Sequence, residues 1–580
     1  MSDQDLQKQI DHIKTSLQER AAALPLAPLR HRALNRRTFL LGTTASGLAF
    51  TRKVGATPEA SPVNDLASAV NLFSLGVASG DPLPDGVVLW TRLAPEPFED
   101  DGGMGTAPVE VQWDVASDEQ MTTIVQSGTA VAEAAWAHSV HVEVSGLEPD
   151  RWYWYRFRVG DAESVVGKTR TAPGPGQTMD NFRFAFASCQ RWDHGLYTAY
   201  RDMAQQEVDL VVHLGDYIYE YRIGGGDQLR EGAFSFAAFS ETYSLSQYRF
   251  RYALHKLDPH LQEMHRLAPW IVTWDDHEVN NNFFGGILRD EPAAAALLER
   301  REAAYRAYYE HQPLRESSRP KGPDLQLYRR LSFGDLVEFN VLDTRQYRSP
   351  QGSQCDDETR LANGGFCPDA LDPERTLLGA AQKEWLLGGF EQTHSRWNVL
   401  AQQIPMSRAD YDAGSGQSFG GSEMDKWDGY AVERDQVMNA LAAAAGANGF
   451  NPVVLTGDMH ANYVWDMKTD WDDPTDATVF GTEFVGTSIS SNGDEPLKED
   501  GGFTTICGAL RGNVHNHLFD NHRGYVLCDL TPDQWKATYR VMPTVEDPDA
   551  VATTLTSFVV AYDQPGAQTD QACVPEDQGG

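Results

Sequence analysis

Val211-Val212-His213-Leu214-Gly215-Asp216-Tyr217-Ile218-Tyr219 is the stretch on which the fold turns. The run Val208–Leu214 reads as a strand buried on both faces. It stops at a Gly-Asp step that leaves Asp216 and Tyr219 just past the strand's carboxyl end. Three other segments have the same construction: Phe182-Arg183-Phe184-Ala185-Phe186-Ala187-Ser188-Cys189-Gln190, Trp270-Ile271-Val272-Thr273-Trp274-Asp275-Asp276-His277-Glu278 and Val453-Val454-Leu455-Thr456-Gly457-Asp458-Met459-His460. Sites in open α/β sheets form in the crevice at the carboxyl ends of strands. Four apolar strands ending in Cys, Asp, Tyr or His therefore converge physically. Each ending has a plainer reading alone: Gly-Asp as a turn, a strand-end His as a satisfied polar group, Asp275-Asp276 as a helix cap, Cys189 as buried filler. All four at one edge read as a metal site.

Around these strands the pattern alternates. Gly195–Gln206, 298–311, 381–392 and 431–445 are helix-compatible, and Trp397–Ala401 and Pro452–Thr456 are strands. Arg329–Asp343 reads as a hairpin about Ser332-Phe333-Gly334-Asp335, and Tyr525–Leu530 with Trp535–Val541 as another. Alternating strands and helices imply a layered α/β domain, and the hairpins make its sheets mixed. From Phe73 to about Thr171 the rhythm is different. Val109, Val111, Trp113 and Val115 alternate with polar residues, as do Val140, Val142 and Val144, the period of half-buried strands. Gly146-Leu147-Glu148-Pro149 leads into the alternating aromatics of Trp152–Val159, as in immunoglobulin-like and fibronectin-like sandwiches. The reading is a small all-β domain over 67–172, a Pro/Gly linker at 171–176, and an α/β domain over 180–580.

Residues 1–56 carry Arg36-Arg37-Thr38-Phe39-Leu40-Leu41, a short Thr/Gly-rich apolar stretch and small residues at Val54-Gly55-Ala56. This resembles a twin-arginine export signal, which predicts passage through the twin-arginine translocation machinery to the periplasm or the exterior. The apolar stretch is too short for a membrane anchor, which needs roughly 18 residues. Outside the cytoplasm Cys355 and Cys367 could close a short disulfide, and Cys507, Cys528 and Cys573 could supply one more. The net charge of −35 argues against a nucleic-acid-binding surface, because phosphate backbones need a basic face, and against anionic lipid surfaces.

The order Cys, Gly-Asp-x-x-Tyr, Asp-His-Glu, Gly-Asp-x-His resembles the calcineurin-like metallophosphoesterases, whose pattern runs Asp, Gly-Asp, Gly-Asn-His, Gly-His-x-His. Their purple acid phosphatase branch has a Tyr three residues after the bridging Asp, as Tyr219 follows Asp216. Gly76-Val77-Ala78-Ser79-Gly80-Asp81-Pro82, Ser188-Cys189-Gln190, Trp274-Asp275-Asp276-His277-Glu278 and Leu342-Asp343-Thr344-Arg345 make the chain similar to the PhoD-like alkaline phosphatase and phosphodiesterase family. The resemblance spans nearly the whole chain after the signal. It implies a metallophosphoesterase sandwich of mixed sheets, and iron together with calcium.

The ligand chemistry agrees. A thiolate at Cys189 and a phenolate at Tyr219 favour a ferric ion over calcium, which prefers oxygen donors. Asp216 suits the bridging position, and His460 completes the iron's shell. Asp276 and Asp458 stand where the dimetal relatives carry Asn and His, and hard carboxylates there suit one or two Ca²⁺. Asn280–Asn282 are candidates for further oxygen ligands. His277 is the candidate to stabilise the transition state or protonate the leaving oxygen. Arg345 would either grip a phosphate oxygen or pair with Asp343 or another carboxylate. His213 is expected in the sheet, and His515 and His517 have no role. The expected activity is hydrolysis of small phosphate monoesters or diesters by a metal-bridging hydroxide or oxide. The rivals are a phospholipase D-like phosphodiesterase on the same scaffold and a non-catalytic secreted metal-binding protein.

Overall fold

Strand Phe182–Ala187 shows how the sequence builds the core. Its alternation sends Phe182, Phe184 and Phe186 to one face and Ala185 and Ala187 to the other. The phenylalanines meet Phe333, Phe339 and Trp535, with ring centroids 4.8–5.5 Å apart for Phe182–Phe333, Phe184–Phe339 and Phe184–Trp535. Burying each contributes roughly 1.5–3 kcal/mol. The small alanines let helices approach the opposite face. The computed structural model describes residues 71–223, 229–230, 240–285, 292–408, 424–471, 473, 475–493, 504–506 and 515–569. The export segment 1–56, the first residues of the expected β domain, Cys507 and Cys573 lie outside these.

The main sheet has ten strands in the order Gln564–Thr569, Thr553–Ala561, Gln534–Met542, Arg523–Leu530, Phe182–Ala187, Leu210–Leu214, Trp270–Thr273, Val77–Leu83, Gly86–Arg92, Ser139–Ser145. Phe182–Ala187, Leu210–Leu214 and Trp270–Thr273 run parallel, and Arg523–Leu530 pairs antiparallel beside them. A second sheet of eight strands holds Val337–Val341, Trp397–Ala401, Asn451–Thr456 and Val479–Val485 in parallel, with the hairpin partner Arg329–Phe333 at one edge. The sheets face each other through a core containing Phe184, Val212, Phe339, Val399 and Leu455. Helices Thr198–Met203, Leu245–Lys256, Pro259–Leu267 and Pro292–His311 cover the outer face of the first sheet. Gly379–Phe390 and Ala431–Asn448 cover the second. The mixed, layered α/β class is as expected.

The N-terminal strands depart from a free-standing sandwich. Ile124–Ala132, Val109–Ala116, Trp152–Val159, Ala162–Glu163 and Gly167–Arg170 form a five-stranded sheet. It packs on Val77–Leu83, Gly86–Arg92 and Ser139–Ser145 through Val87, Leu89, Val111, Trp113 and Tyr155. Those three strands, however, continue the ten-stranded sheet, with Gly80 opposite Trp270. One layer of the β domain is thus the end of the α/β domain's own sheet.

One helix gave no apolar stripe to read. Leu245–Lys256 is buried nearly all round, through Tyr248, Arg249, Arg251, His255 and Lys256. Its signal was a capping box, Ser244 with Gln247. Pro259–Leu267 starts on the cap Asp258 with Pro at its first position.

Candidate metal centre

The four strand ends meet. Ligand atoms of Cys189, Asp216 and His460 lie within 4.8 Å of one another, as do those of Asp216, Asp276 and His277, and those of Asp275, Asp276 and Asp458. Asp216 and Asp276 each belong to two of these groups, so the three form one continuous centre. Four of its members are non-glycine residues in the left-handed region: Cys189 (φ 58°), Asp216 (φ 55°), Asp458 (φ 63°) and His460 (φ 51°). Each such residue costs about 1–3 kcal/mol and persists only where its surroundings over-determine it. Gly215 (φ 103°) shows the crowding, since a Cβ there would lie 2.4 Å from the backbone nitrogen of Asp275.

Glu278 ties two strand ends together. It accepts the backbone N–H groups of Asp216 at 3.1 Å, Tyr217 at 2.7 Å and Asp275 at 2.9 Å. Burial lifts its carboxyl to about 7 against the pull of those N–H groups. Tyr219 Oη stands 2.9 Å from both Asp216 Oδ2 and His460 Nε2, and receives a hydrogen bond from Ser491 Oγ at 2.9 Å. His460 Nδ1 donates to the carbonyl of Asn492 at 2.6 Å, which leaves the Nε2 lone pair facing Tyr219. Burial pulls this imidazole down to about 3, so it is a neutral donor.

The donor set fits cations. Burial, reinforced by Asp216, pushes the Cys189 thiol and the Tyr219 phenol well above their ordinary values; a bound cation is what would favour their ionised forms. Asp275 is lifted to about 8, first by burial and then by Asp276 and Asp458, against the pull of Arg345. Its Oδ2 is buried without a hydrogen-bond partner among the described residues. Asp458 is raised by burial, with Lys426 opposing. Asp276 is buried too, but Arg345, His277 and the Asn282 N–H hold it below the usual carboxylate range. His277 overcomes its own burial because Asp276, Asp216 and Glu220 surround it, and it stays protonated well above the ordinary imidazole range. Its ring lies 4.3 Å from that of Tyr219, centroid to centroid.

Of the two readings of Arg345, the structure shows ion pairs with carboxylates. The side chain is 0 % exposed. Its Nε donates to Asp275, Nη1 donates to Asp425 at 2.8 Å, and Nη2 lies 3.6 Å from Asp458 and 3.7 Å from Asp276. From Arg345, Asp343 accepts the backbone N–H, at 3.0 Å, and its remaining bonds come from Gln346. Of Asn280–Asn282, Asn282 acts through its N–H on Asp276. Cys355 and Cys367 form a disulfide, whereas Cys528 is a free buried thiol. His213 lies in the sheet, stacked on Trp270. His517 pairs with Asp466, and His515 bonds the carbonyl of Arg408.

Several participants escaped the sequence reading. Glu278 within Asp-His-Glu has no role in the sequence pattern, and Asp275 has none beyond the helix-cap alternative it shares with Asp276. Glu220, directly after Tyr219, holds His277. Lys426, Asp425, Ser491 and Asn492 come from loops with no pattern to flag them.

Residues 184–539 match the family described as PhoD-like phosphatase, and residues 59–173 match its N-terminal domain. The chain is 44 % identical over 546 residues to alkaline phosphatase D of Bacillus subtilis (strain 168), covering 93 % of this chain and 89 % of that protein. It is similar to a solved structure described as the structure of PhoD, with a TM-score of 0.76 and 44 % identity, covering 88 % of this chain and 94 % of that one. A match across most of the chain, with a relative this similar along nearly all of it, means that the chain belongs to the PhoD-like phosphatase family and is a phosphoric ester hydrolase.

Proposed function

We propose that the chain is an exported, metal-dependent phosphatase acting on small phosphate monoesters or diesters. The observation that carries this is the continuous donor centre: thiol, phenol and imidazole at one end, three carboxylates at the other, joined by Asp216 and Asp276. The soft end, Cys189, Tyr219 and His460 with Asp216, suits a ferric ion; the hard end, Asp276 and Asp458 with Asp275, suits calcium. Cations held there would supply Lewis acidity, activating water and neutralising phosphoryl oxygens.

The chain's own residues do the rest. Glu220 holds His277 Nδ1 at 2.8 Å, so the other ring nitrogen is free to protonate a leaving oxygen. Glu278 fixes the backbone beneath Asp216 and Asp275. Arg345 holds Asp275 and Asp425 together through its Nε and Nη1. Export is supported by the Cys355–Cys367 disulfide and by the twin-arginine pattern; among the described residues no helix is long and apolar enough to cross a membrane.

The test is Asp216→Asn, assayed on nitrophenyl phosphate and bis-nitrophenyl phosphate, with circular dichroism as the fold control. Hydrolysis of both should vanish while the fold remains. A folded, fully active variant would overturn the reading.

A further inference from the structure

Lys426 stands inside the acid cluster, immediately before the turn Trp427–Tyr430. Its ammonium contacts Asp458 Oδ2, and its side chain is 17 % exposed. The neighbouring acid, Asp425, is already engaged by Arg345 at 2.8 Å and Arg348 at 2.5 Å, so Asp458 is the carboxylate with which Lys426 pairs. The oxygens of the hard end can be followed one by one. Asp275 gives Oδ1 to Arg345, and its Oδ2 is bare. Asp276 gives Oδ2 to the Asn282 N–H at 2.5 Å. Asp458 gives Oδ2 to Lys426, while its Oδ1 lies 3.6 Å from Arg345.

A hard divalent ion gathers six to eight oxygens, and its affinity follows the charge and number of the ligands. A lysine ammonium has three donors and no acceptor, so it adds nothing to such a shell. It takes one carboxylate oxygen and cancels one negative charge beside the ion. Arg345 does the same to Asp275 Oδ1, but it is shared with Asp425 and stays more than 3.5 Å from Asp276 and Asp458.

We propose that Lys426 is a built-in competitor for the divalent cation at Asp275, Asp276 and Asp458, and sets the affinity of that site below what the carboxylates alone would give. It is a positioning and tuning residue, not a ligand. The inference rests on the reading of these carboxylates as cation ligands.

Calcium binding to the full-length protein, stripped with a chelator, tests it by titration calorimetry. Lys426→Met should lower the dissociation constant at least tenfold, about 1.4 kcal/mol, and enlarge the rise in melting temperature that Ca²⁺ produces. Lys426→Arg, which keeps the charge, should stay within threefold of the wild type. A merely structural lysine would give the opposite sign, since loosening the loop weakens binding. Equal or weaker binding by Lys426→Met, with the wild type binding normally, overturns the inference alone. A wild-type protein that takes up no Ca²⁺ overturns the carboxylate reading as well. Should Lys426→Met fail to fold, Lys426→Gln carries the same expectation, and unchanged affinity there is equally fatal.

Discussion

His277 Nδ1 lies 2.8 Å from Glu220 Oε2, and the other oxygen of Glu220 accepts the backbone N–H of Asn281 at 2.7 Å. One carboxylate thus orients the imidazole and anchors the turn that follows Asp276. The imidazole ring is also edge-on to Tyr221, 5.1 Å away. Glu220 on Nδ1 leaves the other ring nitrogen to the centre that His277 shares with Asp216 and Asp276.

A proton donor so placed matters most where the leaving group is poor. His277→Asn should lower kcat by about 10²–10⁴-fold, with a larger loss on an alkyl phosphate than on a nitrophenyl ester. Glu220→Gln should show the same preference at roughly tenfold, acting through His277. Steady-state kinetics on the two esters decides; equal losses on both would remove the proton-donor role.

The soft end has a spectroscopic signature. Native protein should contain iron and show a visible band from charge transfer between thiolate or phenolate and Fe³⁺. Tyr219→Phe and Cys189→Ser should each shift or bleach that band. Purified protein with neither iron nor band would refute the iron assignment while leaving the carboxylate end untouched.

Arg345 can be separated from a substrate contact by where its loss is felt. Arg345→Met removes the cation paired with buried Asp275 and leaves Asp425 to Arg348, and breaking a buried pair costs about 3–5 kcal/mol. The denaturation midpoint should fall accordingly in the protein without substrate. A variant of normal stability with a raised KM would favour the phosphate-gripping role.

How much of this the sequence carried depended on where the determining interactions were local. Cys189, Asp216, Asp276 and Asp458 stand two or three residues past the ends of apolar strands, so strand ends and candidate ligands were legible together. Arg345 was not settled, because its partners Asp275 and Asp425 lie 70 and 80 residues away and only the tertiary fold encloses it. Glu220 and Lys426 were invisible for the same reason. Within the fold, Arg249, Arg251, His255 and Lys256 replaced the apolar face by which a helix is recognised. The junction of the β domain with the main sheet rests on the pairing of Gly80 with Trp270, which no local pattern encodes.

Lys256 gives a prediction about stability against pH. It is 2 % exposed, with its ammonium 4.3 Å from the ring centre of Trp90 and 5.4 Å from that of Tyr217. Burial pulls its pKa from 10.5 down to about 7. Between those values the unfolded lysine holds its proton while the folded one releases it. The unfolded state therefore binds more protons, and stability rises with pH across the window. Below about 7 the cost of burying the charge is fully felt, and above about 10.5 it is gone. At 1.36 kcal/mol per pH unit the difference is of order 5 kcal/mol. Lys256→Met should therefore be more stable than the wild type at pH 7, with the gap closing toward pH 10. Chemical denaturation of both proteins at pH 7, 8.5 and 10 measures it. A gap that stays constant with pH would show that the lysine is charged in the folded protein throughout, its ammonium held by the faces of Trp90 and Tyr217.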